Sequence, residues 1–152
     1  MVMAYLILIF SAALLIFYFQ ATCQAILRRE FDHKYCDAVV KASCLEYPVM
    51  RESVQVRGVD RDFKWFCAGL RCDYLTLTYL LRQGGQACPL DLRLLMAYFQ
   101  LIYLWMFTKH VLRLGEERAM LRLTAILEFL ANAAGQRLNY RLGNAVPVKI
   151  SN

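Results

Sequence analysis

Residues 2–27 run for 26 positions without a charge, and this stretch limits the fold more than any other feature of the chain. Its centre, Tyr5 to Phe19, reads YLILIFSAALLIFYF, with Ser11 as the one clearly polar side chain. A helix rises ~1.5 Å per residue and a bilayer core takes ~20 apolar residues to cross. The stretch is therefore long enough to span. Charge returns abruptly with Arg28, Arg29, Glu30, Asp32 and Lys34. The sequence predicts a transmembrane anchor over residues 1–27, a helical domain over 28–142 and an irregular tail over 143–152.

A cleaved secretory signal has a basic leading region, an apolar core of ~7–15 residues and small residues at the cut. Here nothing basic precedes the run, and the core is too long. Gln20-Ala21-Thr22-Cys23 places Gln where a lipoprotein cleavage box wants Leu, so retention is expected. Lys and Arg near the end of a span stay on the cytoplasmic side. Arg28, Arg29, Lys34 and Lys41 all follow the span. The expected topology is single-pass in the cell (inner) membrane, with the N-terminus outside and the body on the cytoplasmic face.

Beyond the anchor there is room for one small domain. The hydrophobic fraction is 59% and mean hydropathy +0.37, high even after allowing for the span. The net charge is +6, but Lys and Arg form no run, and no nucleic-acid-binding module is recognisable. Nucleic acid is not an expected partner. The bland account of the basic excess is proximity to anionic lipid headgroups. Six cysteines on a cytoplasmic body are expected to stay reduced and to serve mostly as small buried apolar residues.

The body reads as helices. Leu27, Phe31, Tyr35, Ala38, Ala42 and Leu45 recur at helical spacing, which predicts that the anchor helix continues out of the membrane until Pro48 resets it. A short helical turn or loop is expected up to Gly58, with Ser53 to Val56 as its one extended-looking piece. Asp60 or Asp62 suits an N-cap for a helix whose face is Phe63, Phe66, Leu70, Tyr74, Leu77 and Leu81. Gly84-Gly85 would stop it. Pro89 suits the first turn of the next helix. That helix holds 15 uncharged residues between Arg93 and Lys109, roughly 22 Å, too short for a second span. It is expected to be a central core helix, apolar all round. Gly115 separates it from a last helix with face Met120, Leu123, Leu127, Leu130 and Ala134, ending at Gly135 or fraying toward Tyr140. The predicted fold class is all-α: one N-terminal transmembrane helix followed by a compact bundle of about four helices.

Chemistry-bearing patterns are sparse. There is no Cys-x-x-Cys, no Gly-x-Ser-x-Gly and no phosphate-cradling glycine loop. His33 lies three residues before Cys36 and four before Asp37, so the three share a helix face, as half a metal site or as a solvated surface. His110 follows the apolar helix, where it would ligate a haem-like group or simply cap the helix end as a cation. No catalytic, metal or cofactor site is predicted, and no small-molecule substrate is evident. The expected interface with lipid and partner subunits is Tyr5, Phe10, Phe17, Phe19, Arg28, Arg29, Trp65 and Trp105. Phe63-Lys64-Trp65-Phe66 places three aromatics where they cannot all face one core. The sequence thus reads as a non-catalytic accessory or assembly subunit of a larger membrane complex, with respiratory or photosynthetic assemblies as hosts of the right class. The alternative is a membrane-anchored redox module holding a metal or cofactor through His33, Cys36 or His110.

Overall fold

A computed structural model describes residues 2–29, 31, 35–57, 63–83, 88–112 and 117–145. Among these residues there are six α-helices and no strand: α1 (Val2–Leu27), α2 (Cys36–Ser43), α3 (Tyr47–Arg57), α4 (Phe63–Gln83), α5 (Leu90–Val111) and α6 (Glu117–Ala145). The protein is all-α, an apolar N-terminal helix followed by a helical bundle of two short and three long helices.

The first expectation to fail is continuity beyond the anchor. α1 ends at Leu27, and its last turn tightens as the Arg29 N–H bonds the Ile26 carbonyl at 3.1 Å. The chain then leaves the helix axis because tertiary contacts reward it. Phe31 packs on Phe129 of α6 at 4.8 Å between ring centroids, and the Cys36 N–H donates to Asn132 Oδ1 at 2.8 Å. In α2 it is Val39 that turns inward, while Ala38 and Ala42 stay exposed. α2 closes on Cys44, whose φ of 49° is left-handed and costs about 1 kcal/mol for a residue with a Cβ. The Leu45 N–H reaches back to the Val40 carbonyl at 3.1 Å, completing a helix-ending wrap of the Schellman kind.

Pro48 does reset the chain, but into a further helix. It occupies the first turn of α3, where its missing N–H costs nothing. Ser53 to Val56 is helical within it. α4 and α5 run antiparallel. Tyr74 stacks on Phe99 at 4.3 Å, the Tyr103 hydroxyl donates to the Cys67 carbonyl, and the Phe63 ring lies on His110. The face expected for α4 is inside: Phe66, Leu70, Tyr74, Leu77 and Leu81 are buried.

The central helix is α6, not α5. It touches each of the other five helices. Buried residues surround it, from Met120, Leu123, Leu127 and Leu130 to Ala119, Thr124, Ile126, Ala131 and Asn132. Gly135 does not stop it. A Cβ at this position would run into the Tyr35 Cβ and crowd Val39 Cγ2, so glycine here lets α2 lie close on α6. The helix continues past Gly143, where an irregular tail was expected, to Ala145. α5 buries only Leu92, Leu95, Tyr98, Phe99, Ile102 and Met106 and leaves its other face bare.

Candidate membrane and partner interface

α1 changes character along its length. Every residue from Met3 to Tyr18 is exposed, among them Tyr5, Phe10 and Phe17, each more than 60% accessible. From Phe19 on the helix joins the bundle. The Phe19 ring meets Tyr98 edge-on at 5.9 Å, and Cys23 and Ile26 are buried. Arg28 and Arg29 follow at the surface, Arg29 paired with Asp91 at 2.7 Å. These contacts rise along α1 as they descend along α5, so the two helices are antiparallel. α1 is long and apolar enough to cross a membrane. A bare apolar surface of this size in water would aggregate, which is why such patches mark contact with lipid or another protein.

α5 carries the second bare surface. Leu94, Leu101, Trp105, Thr108 and Leu112 share one helical face, and Leu104 and Phe107 flank it. Leu104, Trp105, Phe107 and Leu112 are each more than half accessible. Lys109 lies over the Trp105 ring at 6.0 Å from its centroid. Trp65 is 49% accessible in the first turn of α4, at the end of the bundle where Phe63 meets Phe107 and His110. Both tryptophans of the chain therefore sit at one end of the bundle.

Of the residues weighed as ligands, the two described ones, Cys36 and His110, are not brought together. His33 lies outside the described residues. Cys36 faces the Tyr47 hydroxyl at 2.7 Å, and burial pushes both groups upward, against the thiolate that reactive or metal-binding cysteine requires. His110 is exposed at the far end of α5, its ring stacked on Phe63 at 3.6 Å. Among the described residues no group of three or more His, Cys, Asp or Glu could hold a metal ion. Two open clefts of about 330 Å³ each contain one ion pair in their walls. Arg29 holds Asp91 across one, and Arg51 holds Glu128 at 2.7 Å across the other.

The buried polar group that sequence reasoning missed is Asp73. Its Oδ2 accepts the Glu46 N–H at 3.0 Å and the Tyr47 N–H at 2.7 Å, capping α3 from another helix. Burial pushes its carboxyl above the ordinary carboxylate range, and the two N–H groups pull it partly back. The signal was present: Asp73 falls three after Leu70 and four before Leu77, within the apolar stripe of α4. Its role is architectural, since it satisfies the orphan donors at the start of α3. Comparison with family models, curated proteins and solved structures finds no match, so function is argued from these residues alone.

Proposed function

We propose that this protein is a single-pass, non-catalytic accessory subunit of a larger inner-membrane complex. The observation that carries the reading is the two-part construction of α1. Residues 3–18 offer a bare apolar surface, and residues 19–27 are built into the bundle. An anchor fixed this way transmits its position to the body without a flexible linker, as assembly or stabilisation of neighbouring subunits requires. The bare helix then meets lipid and partner helices. Arg28 and Arg29 at its exit favour a cytoplasmic body with the N-terminus outside. An energy-transducing complex, respiratory or photosynthetic, is a host of the right class.

The test is gentle detergent extraction from the native membrane through an affinity tag, with mass spectrometry and an absorption spectrum on one sample. Co-purification with a fixed set of larger subunits is expected. A lone protein carrying a metal or chromophore would overturn the reading in favour of a redox module. Sidedness has its own measurement, because Cys44 and Cys72 are exposed. A membrane-impermeant maleimide should label them in inverted vesicles and leave them untouched in intact cells.

A further inference from the structure

The antiparallel packing of α1 and α5 has a geometric consequence. From the contact between Phe19 and Tyr98, the bare part of α1 runs back toward Met3 for ~24 Å, and α5 runs forward to Leu112 for ~21 Å. Both set out toward the same side. Any opening angle between zero and a right angle places the second half of α5 between immersion alongside α1 and lying flat on the leaflet that α1 enters. The face of α5 on which α1 packs, at Leu94, is the one that continues bare through Leu101, Trp105 and Leu112. It bears no charge until Lys109 at its border. At the same end of the bundle the described charges are mostly basic, Lys64, Lys109 and Arg118 against Glu117.

We infer that the second half of α5, with the first turn of α4, is seated in the headgroup and upper acyl layer of that leaflet, with Trp65 and Trp105 at the boundary. This rests on the reading of α1 as a membrane anchor. The occupant is lipid rather than a second copy or a partner helix, for three reasons. The stripe is continuous with the surface that α1 presents to the bilayer. Tryptophan with its apolar body and polar N–H is favoured at headgroup depth. Long basic side chains lay their stems on apolar surface and extend their charges to headgroups. The body then holds the membrane at two places, through the span and through a monotopic face.

The two tryptophans are the only ones in the chain, so intrinsic fluorescence reads their surroundings directly. The full chain carrying Trp65→Phe, reconstituted in phosphatidylcholine–phosphatidylglycerol vesicles, isolates Trp105. We expect blue-shifted emission that loses most of its intensity to lipids brominated near the headgroup and little to acrylamide in the water. Leu104 is 68% accessible, so Leu104→Glu leaves the core intact, and it should shift Trp105 emission to the red and reduce bromolipid quenching. Full acrylamide access without bromolipid quenching, in protein that still floats with the vesicles, would overturn the proposal and leave the anchor standing. Blue emission that neither quencher reaches would overturn it in favour of a protein cover. Failure to float with the vesicles would overturn the anchor and the seating together.

Discussion

α1 and α5 are both long and apolar enough to cross a membrane, α5 because its 22-residue helix extends beyond the 15 uncharged residues that by themselves are too short. Yet only 6% of the apolar stretch of α1 is buried inside the protein, against 33% of that of α5. Both pass as spans by length and apolarity; packing separates them. α5 sends one side into the core, through Leu95 and Met106 with no accessible surface, and leaves the other side outward. α1 commits only its last third. An uncharged helix is thus not one kind of object. The same apolarity is core where neighbouring helices cover it and bare surface where they do not.

Substitutions on the two helices should divide accordingly. Leu95→Ala opens a cavity in the core and should cost ~2–5 kcal/mol in denaturant unfolding of the micellar protein. Leu8→Ala on α1 should cost nothing measurable in the same assay, and equal losses would erase the contrast. Leu8→Arg should act the other way round, leaving the bundle folded while weakening membrane retention. A charge at the centre of a span costs ~2.5–3.5 kcal/mol on insertion scales. Carbonate extraction reads this effect, and unchanged retention would show that the body does the holding.

Asp73 tests whether the bundle has stability of its own, apart from the anchor. Asp73→Ala leaves the Glu46 and Tyr47 N–H groups without their acceptor and should cost ~1–3 kcal/mol. The pH dependence has a definite sign. Burial raises the folded carboxyl above its ordinary value, so the folded chain takes up a proton there before the unfolded chain does. The stability of the wild type relative to Asp73→Asn should therefore increase as pH falls from neutral toward the ordinary carboxylate range. It should be lost as pH rises through the folded value, and a margin that shrinks in acid would reverse the assignment.

Two smaller effects concern the join between the compared helices. Phe19→Ala removes the edge-on ring pair with Tyr98 and should loosen α1 from α5 by ~0.5–1.5 kcal/mol, visible as faster amide exchange at residues 19–27. Arg29→Ala removes an exposed ion pair with Asp91 and should change stability by ~0–1 kcal/mol, less at high salt.

Local physics made much of this structure legible. The limits of α1, the start of α5 at Pro89, and the inner faces of α4 and α6 all follow from charge, proline geometry and period, whereas Pro48 signalled a break and opens a helix instead. What failed depended on partners. The break after Leu27 is set by Phe129 and Asn132, a hundred residues away in sequence. The centrality of α6 comes from Ala119, Ala131, Ala133, Ala134 and Gly135, small residues that let neighbours come close and that a search for strong apolarity overlooks. The exposure of Trp65 was legible, because Phe63, Trp65 and Phe66 cannot all face one way. The antiparallel register that gathers Trp65 and Trp105 at one end could not be read from spacing.

The position of α6 also dictates the order in which the molecule comes into being. Each of the other helices rests on it, yet it is made after all of them. At ~5–20 residues per second, roughly 5–20 s separate the emergence of Leu27 from that of Glu117. Through that interval α1 to α5 lack the helix they fold against. α5, uncharged for 15 residues, spends its first seconds with only α1 and α4 to pack against.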